Sequence, residues 1–157
     1  TSGQGSFPSG AYLAVVEVDT GRVDLRRMVT VDDAGTILNP LLALGQVHGG
    51  VAQGIAQALW EEFVYDEDGN PKSGNFIDYH LHSAAELPSF ECTLVETPSP
   101  LNPLGFKGIR ESGCLGAAPA VHNAVIDALS HLGVRHIDMP LTPNRVWSAI
   151  REVTSTT

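Results

Sequence analysis

"NPLLALGQVHGGVAQGIAQALWEE", residues 39–62, decides how the rest of the chain is read. Asn39 followed by Pro40 is a helix-start signal: a side chain able to cap, then a proline whose missing N–H matters least in the first turn. Val47, Val51, Ile55 and Leu59 recur every four residues, so the stretch predicts an amphipathic helix over roughly 40–64. Gly50, Gly54 and Ala58 make a second row of small residues along it. Each glycine inside a helix costs about 1 kcal/mol relative to alanine. A backbone or ligand packed very close to that face is the usual offset. A break near Gly49-Gly50, giving two shorter helices, is the other arrangement the pattern allows. Gln46, Gln53 and Gln57 share a face if the helix is continuous. An amide both donates and accepts, which suits a heterocyclic ligand or a solvated surface.

On the N-terminal side, "AYLAVVEV" (11–18) and "VDLRRMVTV" (23–31) flank the turn residues of "DTGR". They read as a β-hairpin, with Val23, Leu25, Val29 and Val31 at the odd positions of one strand face. On the C-terminal side, residues 65–88 are polar and turn-rich, and read as a loop excursion with at most one short strand near 75–79. "FECTLVET" (90–97) is a third strand. "PSPLNPLGFKG" (98–108), with three prolines and two glycines, is irregular. A second helix is predicted over about 116–132, with Pro119 in its first turn, Gly133 at its end and Val121, Val125, Ala128, Leu129 and Leu132 as its buried stripe. A last helix, about 143–152, starts after Thr142 as cap. The order ββα-loop-βαα predicts an α+β fold: a mainly antiparallel sheet with helices packed on one face. Residues 1–157 are expected to be a single domain or a fragment of one.

The chain is 43% hydrophobic and 17% charged, a globular composition. A net charge of −9 argues against nucleic acid or an anionic membrane surface as main partner. No apolar run approaches transmembrane length. Cys92 and Cys114 lack metal-ligand spacing, and a reducing cytoplasm is the expected compartment. The chain starts at Thr1, and "TSGQGSFPSG" reads as a lead-in loop, so a piece of a longer polypeptide is expected.

"KGIRESG" (107–113) sets one carboxylate, Glu111, among Gly105, Gly108, Gly113, Lys107 and Arg110, just before a helix. Amide dipoles at a helix start favour an anion there. Two readings fit: a surface carboxylate that caps the helix or pairs with its dipole, or a general base held on a turn. His80 and His82 form H-x-H without a further ligand cluster. His48 reads as structural or a pocket wall, and His122, His131 and His136 as surface or capping residues. Cys114 reads as a small buried residue. Neither a GK[ST] phosphate loop nor G-x-G-x-x-G is present.

Seven stretches fall in an order that resembles a known family: "GAYLAVVEVD", "VDDAGTILNP", "GQVHGGVAQGIAQALWEE", "YDEDGNPKSGNFIDY", "ETPSPLNPLGFKGIRESG", "GAAPAVHNAVIDAL" and "MPLTPNRVW". Together they resemble the C-terminal part of the molybdopterin-binding large subunit of the xanthine dehydrogenase/aldehyde oxidase family. "ETPSPLNPLGFKG" is most similar to the branch related to aerobic carbon monoxide dehydrogenase.

The resemblance implies a molybdenum–molybdopterin cofactor, in its cytosine dinucleotide form, and no metal ligand directly from this chain. It implies that Glu111, at the glutamate of the family's K-G-x-G-E-[AS] motif, is the catalytic base beside the molybdenum. It also implies that Gln46 of the Gly45-Gln46 pair hydrogen-bonds the pterin, that Gly45 and Gly108 lie at the cofactor, and that the small-residue row packs close to it. Implied partners are the remainder of the subunit, iron–sulfur ([2Fe-2S]) and FAD subunits, and a small substrate that is hydroxylated or oxidised. Where the family usually has Gly before the glutamate, this chain has Arg110. Its side chain either enters the substrate pocket, modulating specificity or the proton affinity of Glu111, or faces solvent. Arg110 also motivates an alternative: a non-catalytic split or truncated module that scaffolds a partner molybdopterin subunit.

Overall fold

The computed structural model describes residues 7–16 and 19–155, the first stretch through its backbone. The expectation for residues 1–6 lies outside the described residues. Three strands, β1 (Phe7–Val16), β2 (Val23–Asp33) and β3 (Phe90–Val95), form one sheet in the order β1-β2-β3. The helices are α1 (Pro40–Leu59), α2 (Ser112–Leu129) and α3 (Pro143–Ser155). The α+β class and the element order match the expectation. Strand β1 begins at Phe7, so the second half of the expected lead-in loop is sheet.

The sheet is mixed rather than mainly antiparallel. β1 pairs antiparallel with β2, but β3 pairs parallel with it, Met28 opposite Phe90 and Asp33 opposite Val95. The reason is α1. The connection through α1 carries the chain back along the sheet from the end where β2 finishes, so that β3 can run in the same direction, and parallel neighbours need such a crossover.

The face assignment of β2 also differs. Leu25 is buried at an odd position, but Met28, Thr30 and Asp32 are buried at even ones, and Val31 is 39% exposed. The register jumps from Leu13↔Arg27 to Ala14↔Leu25, leaving Arg26 as an extra residue. Such a bulge exchanges the two faces of everything beyond it.

Helix α1 is continuous, with no break at Gly49-Gly50, and Asn39 caps it by accepting from the Leu42 N–H at 3.1 Å. It stops at Leu59, short of 64, where the N–H groups of Trp60 and Glu61 both donate to the Ala56 carbonyl. Val47, Val51, Ile55 and Leu59 are all buried, as the four-residue recurrence predicts. They pack with Met28 and with Val121, Val125 and Leu129 of α2, so α1 and α2 share one sheet face.

Helix α2 starts at Ser112, earlier than about 116, and Pro119 lies inside it rather than in its first turn. Tertiary contacts of Ser112 and Gly113, described below, add the extra turn at the front. Gly133 ends the following 3-10 turn (Ser130–Leu132) in the left-handed region, φ 96°. Thr142 precedes α3 and its hydroxyl accepts from the Arg145 N–H at 3.4 Å. Residues 65–88 hold one isolated bridge, Tyr65–Pro71, and a 3-10 turn, Ala84–Glu86; the described residues carry no strand at 75–79. Among the described residues no helix is long and apolar enough to cross a membrane.

Candidate active site

The end of β2, the loop 96–111, the first half of α1 and the start of α2 meet in one region. The loop returns beside β2 through a bridge between Gly35 and Phe106. Thr36 N–H donates to the Gly105 carbonyl at 3.0 Å, and Lys107 N–H to the Ala34 carbonyl at 2.9 Å. Gly35 (φ 64°) and Gly105 (φ 72°) both take left-handed backbone here. A Cβ on Gly35 would lie 2.3 Å from the Gly105 carbonyl oxygen, so the crossing needs glycine.

Glu111 occupies the N-cap position of α2 and is exposed, yet its side chain makes no capping hydrogen bond. A side-chain cap is therefore not made, while an exposed carboxylate at the helix start still matches the dipole-pairing form of the surface reading. Its neighbour is held instead: the Ser112 hydroxyl donates to Asp32 Oδ1, both side chains buried. At the other end of the motif, Lys107 Nζ donates to Asp33 Oδ2 at 2.8 Å and to Thr97 Oγ1 at 2.7 Å. This ion pair is well buried, with Lys107 7% and Asp33 15% exposed. Asp33 Oδ1 also accepts from the backbone of Gly35 and Thr97, at 2.9 and 3.1 Å. The Lys107 ammonium, and then the Thr97 hydroxyl, hold the Asp33 carboxyl well below the usual carboxylate range.

Gly113 packs directly on α1. A Cβ there would lie 2.5 Å from the Val47 carbonyl oxygen and 2.7 Å from the Val51 nitrogen. Gly50 and Gly54 face the same contact from the other side, against Cys114 and Ala117. The close backbone expected to offset the small-residue row is the start of α2, which packs against Gly50 and Gly54. Gly45 and Gly49 differ, since a Cβ on either meets nothing within 4 Å. Gln46 lies exposed between them, and Gln53 and Gln57 are exposed farther along α1.

A cavity of about 270 Å³ brings Gln46 together with Lys107 and Ile109, walled by Ala34, Leu42 and Phe106 among others. Glu111, Arg110, Gly108 and Gly45 do not line it, although Gly108, Arg110 and Glu111 are all exposed on the adjoining turn. Ligand sites commonly enclose roughly 300–1,000 Å³. This cavity is smaller than that range and open. An open glycine face flanking an amide, with an apolar floor, fits the edge of a heterocyclic cofactor.

A larger cavity, about 520 Å³, lies between Arg22, Trp60, Glu86 and Pro143 and contains none of the predicted site residues. His80 and His82 stack on Trp60 there, at ring separations of 5.7 and 5.9 Å. His122 contacts the Ile137 carbonyl at 2.9 Å. Both cysteines are free. Burial pushes the Cys92 thiol up, and Cys114 Sγ is 3.9 Å from Gln57 Oε1.

Asp32, Asp33, Thr97 and Ser112 were not singled out from sequence. The available signal was a pair of aspartates ending a strand in "VDD". Their partners lie 64 to 80 positions away, beyond any local pattern.

The molybdopterin cofactor-binding domain family matches residues 1–88. The carbon monoxide dehydrogenase large chain of Hydrogenophaga pseudoflava is 42% identical over 149 residues, covering 94% of this chain and 19% of that protein. The nicotine 6-hydroxylase large subunit of Paenarthrobacter nicotinovorans is 40% identical over 149 residues, covering 94% and 18%. Among solved structures, a Cu,Mo-CO dehydrogenase in its carbon monoxide reduced state superposes with a TM-score of 0.87 at 40% identity, over 96% of this chain and 19% of that one. Quinoline 2-oxidoreductase from Pseudomonas putida 86 gives 0.84 at 38%, over 88% and 18%. The chain thus spans less than a fifth of the length of these relatives. The family match on the N-terminal half, and relatives that continue through the glutamate turn, agree: the chain belongs to the molybdopterin cofactor-binding domain family, in the carbon monoxide dehydrogenase-like branch of the xanthine dehydrogenase group.

Proposed function

We propose that this chain acts as the C-terminal part of the large subunit of a molybdenum hydroxylase, contributing the catalytic base and one wall of the cofactor site. One observation carries the reading: Gln46 of α1 and Lys107 and Ile109 of the glutamate loop line the same cavity. When bound, the molybdenum–molybdopterin group, in its cytosine dinucleotide form, supplies the two-electron redox chemistry. Gln46 hydrogen-bonds the pterin edge through its amide, and Gly45 and Gly108 leave room for close approach. Glu111 accepts, on a carboxylate oxygen, the proton of the water-derived oxygen that attacks the substrate. Its place directly before α2 sets it on a turn fixed to that helix. Arg110, exposed one residue before, either reaches the substrate pocket and modulates substrate choice or the base, or faces solvent. The reading carries with it iron–sulfur and FAD partner subunits, a small substrate and a reducing cytoplasm.

Replacing Glu111 by Gln in the full subunit should lower kcat by about 10²-fold or more, with molybdenum content near wild type. Substantial turnover in that variant would remove Glu111 from the role. Arg110 is the feature that favours the second reading, a non-catalytic module scaffolding a partner molybdopterin subunit. Under it the chain binds that subunit, and Glu111→Gln leaves the complex's turnover unchanged.

A further inference from the structure

The two aspartates that end β2 point to opposite sides of the sheet, as neighbours in a strand must. Each grips one end of the glutamate turn. Asp33 holds Lys107 through a buried ion pair at 2.8 Å, reinforced by Thr97. Asp32, fully buried, accepts the Ser112 hydroxyl. Only Gly108, Ile109, Arg110 and Glu111 lie between the two anchored residues, and three of these four are exposed. The turn therefore hangs from one strand end at both of its ends.

A second feature separates this arrangement from ordinary packing. Asp32 Oδ2 is buried and has no hydrogen-bond partner among the described residues. A buried, half-satisfied carboxylate costs stability, and an apolar residue would serve the core better. Its use lies in what Oδ1 holds, the residue directly after Glu111.

We propose that Asp32 and Asp33 are positioning residues for Glu111, a two-point clamp that fixes the 108–111 turn against the end of β2. The proposal rests on the reading of Glu111 as base, but the clamp has its own observable. In the holoenzyme, Asp33→Asn and Ser112→Ala each free one end of the turn. Misplacing a reacting group by about 1 Å can lower the rate ~10²-fold. Each variant should lose kcat on that order while KM stays within about threefold, since a base displaced from its target leaves substrate binding intact.

Molybdenum content should match wild type, and hydrogen exchange of the 108–111 amides should speed up in both variants. Ser112→Thr, which keeps the hydroxyl, should restore both kcat and protection. Wild-type exchange at 108–111 in both variants would overturn the clamp, whatever the activity. So would losses of kcat and molybdenum in parallel without restoration by Ser112→Thr, the mark of a purely structural role. If Glu111→Gln keeps full turnover, the base assignment fails instead, and the exchange data still decide the clamp.

Discussion

Gly113 is where the packing of the helices meets the candidate site at the scale of one residue. It stands two positions after Glu111, and its missing side chain lets α2 touch the backbone of α1 at Val47 and Val51. A methyl group at 2.5 Å from a carbonyl oxygen has no flexible neighbour to displace, so the helices must separate. Gly113→Ala should therefore destabilise the chain by about 1–3 kcal/mol in denaturant unfolding, the range of an overpacked core. Gly49→Ala is the contrast, because its Cβ meets nothing. It should stabilise the isolated chain by up to about 1 kcal/mol through helix propensity alone. Equal effects of the two substitutions would contradict the division of the glycines into those facing α2 and those facing open space.

At the scale of elements, the joint between β2 and the glutamate loop is electrostatic and should answer to acid. Asp33 is held below its ordinary carboxylate range when folded, so the folded state binds its proton less readily than the unfolded one. Its contribution to stability is complete above the unfolded value, about pH 4, and is lost as pH falls through and below it. Asp33→Asn should lower stability at neutral pH and flatten the acid limb of the stability–pH curve, measured by denaturant unfolding from pH 7 to 3. The elements themselves were largely legible. Asn39-Pro40 fixed the start of α1, the four-residue apolar row its inner face, and Thr142-Pro143 the start of α3. What escaped was set by partners distant in sequence. The direction of β3 depends on α1 crossing the sheet, and the early start of α2 on Ser112 and Gly113 finding Asp32 and α1. Local pattern singled out Glu111 in "KGIRESG" and Gln46 as candidates, the resemblance alone gave them roles, and nothing local marked the aspartates that hold the turn.

Across the whole molecule, large apolar side chains lie exposed both at the entrance to α1, beside the candidate site, and in the 65–88 excursion. Leu38, Leu41 and Leu42 are 63%, 80% and 65% exposed at the entrance to α1, and Phe76 and Ile77 are 83% and 95% exposed in the excursion. Patches of this kind mark surfaces built to be covered. The isolated chain should self-associate at micromolar concentration in analytical ultracentrifugation, and Leu41→Ser/Leu42→Ser with Phe76→Ser/Ile77→Ser should shift it toward monomer. A monomer from the start would mean these side chains need no cover. The extra residue at Arg26 carries one more consequence, for which lengths of chain can vary. It sets the parity of β2: delete it, and the strand's far half turns over, sending Asp33 toward the helices and Asp32 toward the loop. The turn at 66–70, closed mainly on Asp66 and Asn70, keeps no such count. Insertions there change a surface loop, whereas a single residue gained or lost in β2 exchanges the two hands that hold the glutamate turn.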